Sequence, residues 1–431
     1  MRALVAFALL LIAPAIARAR PVAPNYEDEP PFIDVMTIGV GAVVFEKFGH
    51  AAICLRYHDP KRDPVCFNFG VTDFHEGAPM IWSFLRGQQE FWVEPLTYAG
   101  MMAFYRAEDR DIFVQTLPLT REQARGIETT LWAVLDGAGS RYDYDHFSEN
   151  CTTRIRDVID RATGGKLAVG ADAEYPLTFR QLGERGLASI PPLIALSDFV
   201  FGRPLEDHPT VWQAMFHPEI LRAVIEQRLG VVPRHVYQRK GPPFATSGAT
   251  GRFHLLAIAL LFALPILVAR SRRTLRLGVC AAYAGVLAYV LLTILPPLWN
   301  AVGALALIVP LVFAAGLAGA LHPRRGERLA VTWATIHLVW WGVFVWGLLI
   351  LSPIHTLQWN EAALAVMPTD IVLPFLGPSK RRIYARGRVV ILLLASLLCA
   401  IGVLRQPLWV PILVAFLPLS ILAFDLPPKR D

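Results

Sequence analysis

Two side chains a hundred positions apart have the chemistry of a thiol nucleophile and its base: Cys151 and His50. Cys151 follows the polar run Tyr142-Asp143-Tyr144-Asp145-His146-Phe147-Ser148-Glu149-Asn150 and precedes Ile155, Val158, Ile159 and Ala162. That helical spacing predicts a helix beginning at the cysteine, with Asn150 or Ser148 as its cap. A thiol in the first turn sits at the positive end of the backbone dipole, which favours the thiolate. A thiolate nucleophile works with a base that takes and returns its proton, and a third group that holds the base. His50 stands at the start of a predicted strand, after Phe48-Gly49. If the hairpin that follows is symmetric about Pro60, Cys54 faces Cys66. His50, Ala52 and Cys54 then share a face with Cys66 and Asn68. Asn68 becomes a diagonal neighbour of His50 and the candidate orienter. Taken singly, such a cysteine or histidine is more often an ordinary packed residue; the argument rests on the two together.

The elements that must position these groups are short. Strands are expected at 33–38, 51–57 and 65–69, with the polar segment 57–64 closing a hairpin. A helix is expected over 79–90, one or two strands over 101–117, and a helix from Thr120 to about 136. The cysteine helix runs over 151–164 and ends at Gly164-Gly165. Residues 175–235 read as irregular and mostly helical. Cys54 and Cys66 fit a cross-strand disulfide or two packed thiols better than a ligand pair, and an oxidising compartment permits the bond. No zinc-type spacing occurs, so neither metal nor cofactor is expected.

The chain has 431 residues and a formal net charge of +6. Its basic residues cluster between apolar runs in the second half, a membrane pattern that argues against nucleic acid as a partner. Residues 1–19 read as a secretory signal: Arg2, an apolar core, then Ala17-Arg18-Ala19. An uncleaved anchor is the alternative. Either way the following domain is exported, which implies a bacterial source and a periplasmic soluble domain in the inner membrane's outer compartment. The domain plan is a signal peptide (1–19), a linker (20–32), a thiol domain (33–240), a second linker (241–252) and a membrane domain (253–431). Apolar runs at 253–269, 277–295, 301–321, 329–351, 362–377, 389–404 and 407–424 give about seven spans. That number puts all four basic clusters on the cytoplasmic side. The fifth run is short and holds Pro368 and Asp370, so it is either a span or a re-entrant, broken helix. Cys280 and Cys399 fall in apolar runs and read as inert.

Phe48-Gly49-His50-Ala51-Ala52-Ile53, Phe67-Asn68-Phe69-Gly70, Phe84-Leu85-Arg86-Gly87 and Asn150-Cys151-Thr152-Thr153-Arg154-Ile155-Arg156-Asp157 resemble motifs of the Lnb family. Its members carry a papain-like periplasmic thiol domain before a membrane domain, and the founding activity is lipoprotein N-acyltransfer. The resemblance covers about 33–225 well and the membrane half more loosely. There His355 to Asn360 resembles a family loop of a histidine followed by asparagines, although Glu361 and Ala362 depart from it. The order of His before Cys also resembles the permuted papain-like acyltransferases of the lecithin:retinol group. The fold class expected is therefore α+β: a permuted papain-like thiol domain, then an all-α polytopic transmembrane domain.

The resemblance implies transfer of an acyl chain from a membrane phospholipid, through a Cys151 thioester, to the N-terminal cysteine of a diacylated lipoprotein. Cys151, His50 and Asn68 are the expected catalytic residues, and helix-start N–H groups are candidates for the oxyanion. Arg154 and Arg156 are candidates for a lipid phosphate, or plain surface charges. Asn150, His355 and Asn360 complete the expected substrate contacts. Trp82, Phe84, Phe91, Trp92 and the run Pro191-Pro192-Leu193-Ile194 are either interfacial or core residues. His337, inside an apolar run, is a functional candidate by position, or an interhelical hydrogen-bonding group. The rivals are a cell-wall cysteine peptidase or amidase using the same pair, and a non-catalytic envelope scaffold.

Overall fold

The computed structural model describes residues 29–41, 46–73, 83, 86–189, 191–244 and 355–424, with scattered positions between 252 and 337. The expected signal peptide, half of the expected 79–90 helix and most of the first four apolar runs lie outside the described residues. The chain divides into two compact units. The first comprises residues 1–42, 46–175 and 209–243; the second comprises 43–45, 176–208 and 244–431. The division is therefore not a single cut at 241–252, because 176–208 group with the C-terminal part.

The first unit is a seven-stranded antiparallel sheet, ordered β6-β4-β3-β2-β1-β5-β7. Its strands are β1 (Phe32–Ile38), β2 (His50–Arg56), β3 (Val65–Val71), β4 (Gln89–Thr97), β5 (Ile112–Thr116), β6 (Arg141–Tyr144) and β7 (Arg234–Tyr237). Three helices matter for the site: α1 (Tyr98–Ala107), α2 (Arg121–Asp136) and α3 (Cys151–Ala162). The β2–β3 hairpin has the expected register, with Cys54 opposite Cys66. The two cysteines form a disulfide, with Cα atoms 3.9 Å apart.

Alternation along β2 and β3 builds two cores. Ala52, Cys54 and Cys66 join Met36, Ile38, Met101, Met102 and Tyr105 in the cluster capped by α1. On the other face Phe67 meets the Trp132 ring of α2 edge-on, and α3 packs on β2 and β3. Ile155 and Ile159 of α3 are fully buried, as their spacing requires.

One local expectation is narrowed and another corrected. Of the one or two strands expected over 101–117, one forms, β5 at Ile112–Thr116; residues 98–107 are a helix, because Thr97 leaves β4 extended and its hydroxyl accepts the Gly100 N–H. Gln89 and Glu90 belong to a strand rather than to a helix, since β4 is paired on both sides, with β3 and with β6.

The second unit is helical where described. It contains Phe179–Leu187, Pro191–Val200, Pro378–Ala400 and Trp409–Ala423. Among the described residues one helix, Pro378–Ala400, is long and apolar enough to cross a membrane; Trp409–Ala423 is a shorter apolar helix. The 23-residue helix starts eleven positions before the expected run at 389 and takes Arg381 and Arg388 into its buried face. The run at 362–377 is broken into 3-10 turns, Glu361–Leu364 and Pro368–Phe375. Arg388 donates to the carbonyls of Leu364 and Ala365, and Arg381 to those of Leu373 and Leu376. The carbonyls that the broken helix leaves open thereby find donors. Asp370 is buried and accepts from Trp333 Nε1, the Tyr384 hydroxyl and Arg388 Nε at 2.7–2.8 Å. His337 Nε2 stands 3.2 Å from the same carboxylate, so His337 serves this polar cluster.

The second unit also shows where glycine is compulsory. A Cβ on Gly202 would lie 1.8 Å from the Gln358 carbonyl oxygen, whereas one on Gly126 of α2 meets nothing within 4 Å. Gly202→Ala should lower the thermal midpoint of the solubilised chain, by at least about 2 kcal/mol in stability. Gly126→Ala should leave it unchanged or raise it, since alanine is favoured in a helix by up to about 1 kcal/mol. Equal midpoints for the two variants would contradict this packing.

Candidate active site

The site is assembled from the start of β2, the middle of β3 and the first turn of α3. His50 Nε2 lies 2.7 Å from Asn68 Oδ1. That same oxygen accepts the Gly70 backbone N–H at 3.1 Å. An atom that accepts from a backbone N–H is the amide oxygen, so its partner on the ring must be a donor. Nε2 therefore carries the imidazole proton, and Nδ1 holds the lone pair. Gly70 also makes room for the ring: a Cβ there would stand 2.7 Å from His50 Cε1.

Cys151 opens α3, and Asn150 is the cap. The Asn150 side-chain oxygen accepts the N–H groups of Thr152 and Thr153 at 2.9 and 3.0 Å. The Thr153 hydroxyl accepts the Asn150 N–H, closing a capping box. This places the thiol at the positive end of the helix and beside the base. Burial would push the Cys151 thiol up. The His50 charge, a hydrogen bond with the His50 side chain and the Ala51 N–H overcome it, and the thiol is lowered from 9.0 to about 7. With Nε2 engaged by Asn68, the ring nitrogen left for the thiol is Nδ1. Cys151 is half-buried and free, with the Thr152 hydroxyl 3.7 Å from Sγ.

Three phenols surround this charge. Tyr105, Tyr142 and Tyr144 are all pushed above the ordinary tyrosine range, by burial first and by the Cys151 thiolate next. The Tyr142 hydroxyl donates to the Phe69 carbonyl and ties β6 to β3. The imidazole of His146 is held neutral, lowered to about 4 by burial among aromatic rings. It is thus a poor competitor of His50 for the role of base.

The expected substrate residues have other work. Asn150 is spent on the cap, and its Nδ2 donates to the carbonyls of His146 and Phe216. Arg156 is buried, donates to the Trp212 carbonyl, pairs with Asp157 at 2.7 Å and covers the Trp212 ring. It fastens α3 to residue 212 and presents no free guanidinium. Arg154 pairs with Glu149 at 2.9 Å over the Tyr142 ring, next to the thiol turn. In the second unit, Asn360 caps the turn Glu361–Leu364 and donates to the carbonyls of Phe199 and Val200. His355 is exposed. The helix-start oxyanion expectation narrows as well. The Thr152 and Thr153 amides are capped and the Arg154 amide bonds Asn150 O, so the Cys151 amide is the first-turn donor that remains. Gly70 is the functional position that sequence reasoning passed over, although Phe67-Asn68-Phe69-Gly70 had been singled out as a motif.

This arrangement makes two measurable statements. The rate of Cys151 alkylation should rise through an inflection near pH 7, and Gly70→Ala, by displacing the ring, should move that inflection toward the ordinary thiol value. An unmoved inflection would mean that the ring does not govern the thiol. Asn150→Ala should cost about 1 kcal/mol or more of stability through loss of the cap, read by thermal unfolding.

Residues 33–185 match the model of the Lnb N-terminal periplasmic domain. No curated protein and no solved structure matches the chain. The His50–Asn68 strands and the Cys151 helix all fall within the residues that are similar to this domain.

Proposed function

We propose that the protein is a thiol acyltransferase that loads an acyl chain from a membrane phospholipid onto Cys151 and passes it to an amine. The observation that carries this reading is the Cys151 thiol at a helix start, lowered to about 7 and bonded to a histidine whose far nitrogen is fixed by Asn68. His50 Nδ1 takes the thiol proton, and Sγ attacks the ester carbonyl of the lipid. The Cys151 amide donates to the oxyanion that forms. The C–O bond to the lysolipid breaks as His50 returns the proton to the departing oxygen, leaving an S-acyl enzyme. An amine then attacks the thioester carbonyl, His50 accepts its proton, and an amide and the free thiol result. Throughout, Asn68 keeps Nε2 protonated and the ring in place.

The donor class follows from location. The family match is to a periplasmic domain, and the second unit carries a helix fit to cross a bilayer. On this reading the thiol domain, of permuted papain-like type, faces the periplasm, and a multi-pass membrane domain follows it in the chain. The acceptor is the N-terminal cysteine of a diacylated lipoprotein. A cell-wall peptidase would use the same pair with water as acceptor, and a scaffold would not need the thiol.

Incubating the full chain with labelled phospholipid should trap label on Cys151 as a hydroxylamine-sensitive thioester. Cys151→Ala should trap none, and His50→Ala should slow loading by about a hundredfold or more. Absence of label on wild-type Cys151 would defeat the transferase reading in favour of hydrolysis of another substrate.

A further inference from the structure

We propose that the Cys54–Cys66 disulfide is a positioning device for the thiol site, holding the base and its orienter in register from the root of the two strands that carry them. The proposal rests on the Cys151–His50 reading above, and on nothing about which lipid or amine is used.

The ladder between β2 and β3 ends short of the site. β2 and β3 are paired at Ile53–Phe67, Cys54–Cys66 and Leu55–Val65. Toward His50 and Gly70 this pairing is not continued among the described residues, and β3 bulges against β4 between Asn68 and Val71. His50 is still paired with Ile38 of β1 and Asn68 with Glu94 of β4, but the two chemistry-bearing ends share no such pairing with each other. What spans the gap is the His50–Asn68 side-chain bond itself, at 2.7 Å. Asn68 is two residues beyond Cys66, and His50 is four before Cys54, all on one face by alternation. A slip of one residue would turn Asn68 to the opposite face and leave Nε2 without its acceptor. The disulfide forbids that slip.

Its surroundings fit the role. Both cysteines are fully buried in the cluster built with Met101, Met102 and Tyr105 of α1. The Tyr105 ring lies 6.2 Å from the His50 ring, so the packed environment of the disulfide extends to the base. A simple staple would stabilise the domain from any pair of facing positions. This one stands one rung from Ile53–Phe67, the last β2–β3 pair before the site.

The test separates positioning from stapling. In the full chain, Cys54→Ala/Cys66→Ala removes the bond without adding a thiol. Cys54→Val/Cys66→Ala refills part of the volume, should the first variant lose its fold. Cys151 alkylation by iodoacetamide is followed against pH, peptide by peptide, by mass spectrometry, with circular dichroism as the check on folding. The expected result is a folded variant whose Cys151 inflection has moved up by a unit or more, with alkylation at pH 7 slowed by about tenfold. Asn68→Ala, with the disulfide intact, should give the same shift. A folded variant that keeps the wild-type inflection overturns the proposal, and so does unfolding of both double variants, which would make the bond a staple. A wild-type protein with no inflection near pH 7 would instead overturn the thiol–base reading beneath it.

Discussion

A single oxygen, Asn68 Oδ1, decides the chemistry of this domain. It receives one bond from the Gly70 backbone and one from His50, and the first fixes the meaning of the second. Because the backbone can only donate there, the imidazole must carry its proton on the same side and keep its lone pair on the other. The tautomer of the base is thus written into the main chain of β3. The sheet holds β2 beside β3, α3 brings the cysteine to the free nitrogen, and the Asn150 cap sets where α3 begins.

The thiol shows how opposing terms are balanced. Burial alone would raise it, and the same burial raises the three nearby phenols and lowers His146. Only Cys151 escapes this trend, because it alone among them combines a helix start with a histidine and a backbone donor. A low-dielectric site strengthens each of these contacts as it penalises the bare charge. The result is one thiol poised to titrate near neutrality beside three phenols and the His146 imidazole, which are pushed away from it.

Much of this was legible in the sequence because it is local. The β2–β3 register follows from alternation on either side of a polar connection, and the Cys151 helix from apolar spacing behind a cap. What sequence left open was decided by partners far along the chain. Arg156 reads as a surface charge until Trp212 is seen to cover it, and Asn360 reads as a ligand until Phe199 and Val200 are seen to take its amide protons. Asn150 fits a cap and a substrate contact equally well on paper, but the cap takes its side-chain oxygen and the carbonyls of His146 and Phe216 take its amide protons. β4 overlaps the span expected to be helical and contains Pro95, yet it pairs with β3 and with β6. The grouping of 176–208 with the C-terminal residues has no signature in composition at all.

The broken segment before Pro378 carries a consequence for its own stability. Its turns from Glu361 to Phe375 leave carbonyls to which Arg381 and Arg388 of the helix that follows donate. In hydrocarbon, a stretch with open carbonyls is a poor candidate for entry by itself, and a helix with two unsatisfied guanidinium groups is no better. Each lacks what the other supplies. The two therefore become stable only as a joined pair, with Asp370 of the broken segment supplying the charge that Arg388 of the helix needs.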